Sequence, residues 1–185
     1  ETVLMTAART GRVDAVQLLL TRGAQVDAIE PESGQTPLMW AVAEGHEDVA
    51  RLLMDTGANV HARSKAGFTP LMFAAREARQ HISEMLLGAG ARINEISHDG
   101  SNALLIATIR GHAAYAEWLM DRGADPNIGE FTPLHRAAGM WESELSARVA
   151  EGTEWRALGG LRGEAKLSFV KSLLKRGADP NAVVA

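Results

Sequence analysis

The feature that most constrains this chain is that it repeats itself. A leucine pair or single leucine closely followed by Gly-Ala occurs five times: Leu19-Leu20 with Gly23-Ala24, Leu52-Leu53 with Gly57-Ala58, Leu86-Leu87 with Gly90-Ala91, Leu119 with Gly123-Ala124, and Leu173-Leu174 with Gly177-Ala178. The first four glycines fall 34, 33 and 33 residues apart. A second landmark lies upstream of each: Thr2-Val3-Leu4, Thr36-Pro37-Leu38, Thr69-Pro70-Leu71, Asn102-Ala103-Leu104 and Thr132-Pro133-Leu134. In the first four copies it precedes the glycine by 21 residues, so whatever lies between has a fixed length. A period near 33 points to a stacked array in which each unit contacts only its neighbours.

Each copy reads as two helices. Thr36 or Thr69 suits an N-cap, its hydroxyl taking an orphan N–H, and Pro37 or Pro70 then sits at the first helical position, where no N–H is missed. The small residues Ala41 and Ala43, or Ala74 and Ala75, let neighbouring helices approach before a break near Gly45 or Gly111. Val49, Leu52 and Leu53 then form one apolar stripe, with Glu47, Asp48, Arg51 and Asp55 toward water. Gly57 stops the second helix, and a turn-rich stretch leads on as a projecting hairpin. Antiparallel pairs are expected at 3–10 with 13–22 and at 37–44 with 47–55. No copy can bury its stripe alone, so stacking supplies the core.

Composition agrees with thin layers: 46% of the 185 residues are hydrophobic but only 5% aromatic. No apolar run approaches the roughly 18 to 20 residues that cross a bilayer, and Glu1 opens no basic-then-apolar leader, so a soluble chain without membrane contact is expected. Without cysteine there are no disulfides or thiolate metal sites, and the compartment stays open. A formal net charge of -4 spread over interspersed acids and bases attracts no polyphosphate, so nucleic acid is not an expected partner.

The strings Gly-Gln-Thr-Pro-Leu-Met-Trp-Ala at 34–41, Gly-His-Glu-Asp-Val-Ala-Arg-Leu-Leu at 45–53 and Gly-Phe-Thr-Pro-Leu-Met-Phe-Ala-Ala at 67–75 resemble ankyrin repeats. So do Asp-Arg-Gly-Ala-Asp-Pro-Asn at 121–127 and Lys-Arg-Gly-Ala-Asp-Pro-Asn-Ala at 175–182. The resemblance implies an all-α helix-turn-helix solenoid with short β-hairpin fingers, in one domain with units at about 1–29, 30–62, 63–95, 96–128 and 129–185. Three positions depart from the pattern: Val3 replaces the proline, Ala78 the inter-helix glycine, and Asn102-Ala103 the Thr-Pro.

Two irregularities interrupt the period. Asn102 to Thr132 spans 30 residues, so three are lacking between Asn127 and Phe131; either the fourth finger is short or residues are missing from the numbering there. Thr132 to Gly177 spans 45, which places 24 extra residues, 141–164, at the junction of the last two helices. Trp141, Leu145 and Val149 share one helical stripe, so the first helix is expected to continue to about Ala150. Gly152, Gly159-Gly160 and Gly163 then break a looser return. Trp141 and Trp155 pack together as a small satellite core in one reading; in the other they belong to a partner-binding arm or a cap.

No constellation for catalysis stands out, and no enzyme, metal or cofactor is expected. His46 and His112 recur after the inter-helix glycine and His135 takes a position where the family usually has histidine, so the resemblance implies a structural role. His61, His81 and His98 are scattered. Glu142, Glu144, Glu151 and Glu154 read as the wet face of a helix, and Gly159-Gly160-Leu161-Arg162-Gly163 lacks the strand and the Lys-Ser or Lys-Thr of a phosphate loop. Trp40 and Phe73 share one repeat position, at which Ile106 and Arg136 come next in the series, and the two aromatics are expected to fill the groove between helices and finger.

The resemblance further implies a protein-binding module working through its concave face. The family's recognition positions fall on finger residues Glu32, Gln35, Arg63, Lys65, Phe68, His98, Asp99, Ser101 and Phe131, and on Arg9, Thr10, Glu44, Arg76, Glu77, Ile109 and Arg110 of the inner helices. Both charge signs with apolar groups suit a protein interface. Trp141 and Trp155 are further possible contacts. The partner is then a protein, and the chain a monomer or part of a longer one. The alternative is a structural spacer in a larger polypeptide.

Overall fold

The computed structural model describes residues 1–129, 131–138 and 163–183. They form α1 (Val3–Arg9), α2 (Val13–Thr21), α3 (Pro37–Glu44), α4 (Glu47–Asp55), α5 (Pro70–Arg76), α6 (Gln80–Gly88), α7 (Ala103–Ile109), α8 (Ala113–Asp121), α9 (Pro133–Ala138) and α10 (Gly163–Lys175). The first four helices match the expected bounds to within one residue. The odd-numbered helices form an inner row, each packed on the next, and α2, α4 and α6 form an outer row behind it; α10 packs on α9.

The inner row is dense because its contacts are small. Ala8, Ala41, Ala74, Ala75 and Ala107 are all fully buried, and no larger side chain would let the backbones come so close. Between the rows, Leu53, Leu86, Leu119 and Leu173 repeat one buried position, and Val49, Ile82, Tyr115 and Phe169 repeat the position four residues earlier. The core is therefore one continuous sheet of aliphatic contacts with Tyr115 and Phe169 at its C-terminal end.

Helix starts follow local chemistry. Thr36 Oγ1 accepts from Met39 N at 3.4 Å, and Asn102, in place of threonine, accepts from Leu105 N at 2.8 Å. Thr69 corrects the expectation that its hydroxyl caps: it has the extended N-cap backbone but makes no side-chain cap bond. The first turn tightens instead, with Met72 N donating to Thr69 O at 3.0 Å.

The outer helices end alike. At α4, Gly57 adopts φ 95°, Gly57 N donates to Met54 O at 2.9 Å, and Ala58 N donates to Leu53 O at 2.9 Å. These two bonds satisfy carbonyls that would otherwise be orphaned, and they require a residue at ease in the left-handed region. The same Gly-Ala bonding recurs as Ala24 to Leu19, Ala91 to Leu86, Ala124 to Leu119 and Ala178 to Leu173.

The fingers close without strands among the described residues. One backbone bond shuts the base of each: Glu30 N to Gln35 O at 3.0 Å, Ser64 N to Phe68 O at 3.0 Å, and Ser97 N to Ser101 O at 2.8 Å. Their tips are tied sideways by Lys65 N to Ser33 O at 2.8 Å and His98 N to Ala66 O at 3.0 Å. The shorter fourth connection folds directly onto the third finger, Ile128 O accepting from Asn102 Nδ2 at 3.0 Å.

Asparagines on the fingers clip successive copies. Asn94 accepts from Asp125 N at 2.9 Å and donates to Gly123 O at 3.0 Å. Asn127 repeats this across 50 residues of chain, accepting from Asp179 N at 2.8 Å and donating to Gly177 O at 2.9 Å, which sets α10 in the register of an outer helix. α10 corrects one expectation: Gly163 does not break the chain but opens a 13-residue helix, in a first turn where backbone N–H groups need no helical partner. The expected extension to Ala150 and the contact of Trp141 with Trp155 lie outside the described residues.

Candidate functional site

The surface built by the inner-helix C-termini and the fingers carries the sequence-derived candidates. The inner helices α1, α3, α5 and α7 deliver their last residues to one edge, because the break that follows each turns the chain away. Arg9, Thr10, Glu44, Arg76 and Glu77 are exposed there, and Ile109 and Arg110 are half-buried. From the fingers, Glu32, Arg63, Lys65, His98, Asp99 and Phe131 are exposed, while Gln35, Phe68 and Ser101 are half-buried. None of the sixteen is buried.

Exposure does not make these groups equally available. Arg110 is committed to its neighbours: Nε donates to Arg76 O at 3.2 Å and Nη2 to Glu77 Oε1 at 2.9 Å, tying two copies together. Arg63 bonds Gly67 O at 3.2 Å, Ile96 O at 2.8 Å and Glu95 Oε2 at 2.7 Å. Lys65 Nζ donates to Pro31 O at 2.5 Å. These three cations cross-link fingers or helices, and their charges are partly committed. Arg76 and Glu44 make no side-chain bond or ion pair among the described residues and face solvent as free charges.

Aromatic groups interleave with the charges. Phe68 packs against Phe73 with centroids 6.0 Å apart. Arg136 lies over the Phe131 ring at 4.9 Å, and Arg9 over Trp40 at 5.9 Å. Phe73 is a core residue, as expected of an aromatic at this position, and Ile106 is buried as well, whereas Trp40 and Arg136 remain half-buried. Ile29 and Ile96, exposed on the fingers, were missed by the sequence reading. The signal was present: each stands six residues after its helix-ending glycine, with Arg63 at the same step between them.

The finger turns hold two acids in ionised form. Glu30, buried, accepts from Ser33 Oγ at 2.7 Å, from Ser33 N and from Glu32 N. The Ser33 hydroxyl bond is the chief reason its carboxyl sits below the ordinary glutamate range. At Asp99 burial acts to raise the carboxyl, but bonds from Ser97 and Ser101 outweigh it and hold it below the ordinary aspartate range.

The recurring histidines are inter-copy ties. His46 Nε2 lies 2.9 Å from Arg9 O, and His112 Nε2 lies 3.1 Å from Arg76 O, each reaching the last carbonyl of the preceding inner helix. Arg79 takes the same place in the third copy, donating to Glu44 O at 3.5 Å. His135 bridges Thr132 Oγ1 at 2.8 Å and Ala182 O at 2.8 Å.

Among the described residues no three His, Asp or Glu side chains converge as metal ligands would, and no helix is long and apolar enough to cross a membrane. A shallow groove of about 430 Å³ lies between α6 and α8, lined by Glu84, Leu87, Ala91, Ile93 and Arg122, away from the candidate set.

Comparison with known proteins agrees with the architecture. Residues 1–64 and 71–145 match the family model described as ankyrin repeats (3 copies). One mouse (Mus musculus) protein, B-cell lymphoma 3 protein homolog, is 41% identical over 66 residues, covering 36% of this chain and 15% of that protein. Most of that relative thus has no counterpart in the match. The family model covers well over half the chain, in the same segments where the helix pairs stack, and the chain belongs to the ankyrin repeat family.

Proposed function

We propose that the chain is a non-catalytic protein-binding module of five units, 1–29, 30–62, 63–95, 96–128 and 129–185, that holds its partner on the surface formed by the inner-helix ends and the fingers. Ankyrin repeats generally mediate protein–protein interaction. The single observation that carries the reading is the continuity of that surface: sixteen residues from five units, none buried, alternating free charge with aromatic and aliphatic contact. Phe131, Phe68, Ile29 and Ile96 supply apolar anchors, and Arg76 and Glu44 supply unpaired charges of opposite sign, the mixture found at protein interfaces. Arg63, Lys65 and Arg110 act mainly by holding the surface rigid, since ordering them on binding costs little once they are tied down.

The test is affinity capture with the full chain, followed by the double charge reversal Arg76→Glu with Glu44→Arg. Net charge is unchanged and neither side chain has a partner to lose, so the melting midpoint should hold while affinity for the captured protein falls about tenfold or more. Undiminished affinity would place the interface elsewhere and end this reading.

A further inference from the structure

We infer, resting on the binding surface proposed above, that its occupant is an α-helix of the partner protein laid along the stack. That helix carries a cation, a carboxylate and an apolar side chain at successive seven-residue steps, with the carboxylate in the middle.

The backbone of the occupant follows from the step of the surface. Each inner helix packs on the next, and packed helices lie about 8–10 Å apart, so the surface repeats at that distance. An α-helix advances about 1.5 Å per residue; seven residues therefore cover about 10.5 Å and return nearly to the same face. Every unit then meets the same side of the occupant. In an extended strand about three residues cover the same step, but successive side chains alternate, so every second contact points away. A polyproline helix also keeps step, at about 3.1 Å per residue and three residues per turn, but grooves that hold it are lined with aromatic rings. The row of inner-helix ends reads Arg9, Ala43, Arg76 and Ile109 at one repeat position, with no ring among them.

Charge then fixes the order of its side chains. Arg9 is answered by Glu1 at 3.4 Å, and Glu77 by Arg110 at 2.9 Å. Glu44 at the end of α3 and Arg76 at the end of α5 are exposed and have no side-chain partner among the described residues, each other included. They stand about one unit step apart. One step beyond Arg76 the same repeat position holds Ile109, half-buried, and Phe131 on the next connection is 43% exposed. Along the stack the order is thus acid, base, apolar. Its complement is a cation against Glu44, a carboxylate against Arg76 and an apolar side chain against Ile109 and Phe131. Ala43, beside Glu44, is too short to hold a helix off.

The probe is a display library of alanine-based helical peptides of about 21 residues, roughly six turns, randomised along one face, beside a proline-rich library of the same length. Both are selected on the full chain. The enriched helices should carry Asp or Glu seven residues from Lys or Arg on one side and seven from Leu, Ile, Met or Phe on the other, whichever way they run. Selection on the chain with Glu44→Arg and Arg76→Glu should exchange the two charges. Each selected peptide should bind the chain it was selected on about tenfold more tightly than the other chain. Selection that enriches no helix, helices without this charge order, an order unchanged on the swapped chain, or tighter binders from the proline-rich library each overturn the inference. The surface reading survives those outcomes when Ile29→Asp and Phe131→Asp weaken the binders obtained. Binders indifferent to these two variants and to the charge swap overturn both.

Discussion

The Tyr115 hydroxyl lies 2.6 Å from Ser83 Oγ inside the seam between α6 and α8. Ser83 Oγ is also 2.8 Å from Arg79 O and spends its one proton there, so Tyr115 is the donor to the serine oxygen. Burial raises the phenol to about 12. A raised acid pKa means the folded state keeps its proton longer than the unfolded one. The associated stability is full below pH 10 and is lost as pH climbs toward 12. This is the only tyrosine in the chain, so absorbance of the phenolate reports it alone. The folded protein should show no phenolate at pH 10.5, while the urea-unfolded chain shows a majority. Tyr115→Phe should cost about 0.5–1.5 kcal/mol in denaturant melts by leaving the serine oxygen without its donor.

Ala78 stands where the other inner-helix breaks have glycine, and among the described residues it is the one non-glycine residue with positive φ, 49°. Its Cβ strains that backbone by about 1–2 kcal/mol, partly offset by the lower entropy of alanine in the unfolded chain. Ala78→Gly should therefore stabilise by about 0.5–1 kcal/mol. Gly45→Ala should do the reverse, because φ is 82° and an added Cβ would lie 2.6 Å from Arg79 Cζ. Chemical melts of both variants should shift in opposite directions; a loss of stability in Ala78→Gly would show that the strain is not there.

Leu53 is fully buried and Asp55, two residues on, is exposed. Leu53→Ala leaves a cavity in a layer that collapses poorly and should cost about 2–5 kcal/mol, against less than about 0.5 kcal/mol for Asp55→Ala. Equal midpoints would mean that the stripe faces the other way.

Glu30 prefers its ionised form in the folded protein, so its contribution is present above the ordinary glutamate value of 4.5 and disappears as pH falls through the lower folded one. Glu30→Gln should lower the melting temperature at pH 7, and the gap from wild type should narrow as pH falls below 4.5. A gap that stays constant over that range would assign the loss to shape, not charge.

Helix ends, rows and fingers were legible in the sequence because each rests on chemistry within a few residues. Thr36 and Asn102 cap the turn they begin, Gly57 closes the helix it follows, and the three-and-four spacing of Val49, Leu52 and Leu53 marks one stripe. The candidate surface rests on the recognition positions that the family resemblance implies. What only the tertiary structure decided is which of its charges are free. Arg110 and Arg76 look alike in sequence, yet Arg110 is bound to Arg76 O and Glu77 while Arg76 has no such bond. Each of these outcomes depends on a residue about 33 positions away, across a junction that exists only once neighbouring copies have stacked. A period in the sequence sets the place of each residue in its unit, and the contact between units sets what remains for a partner to touch.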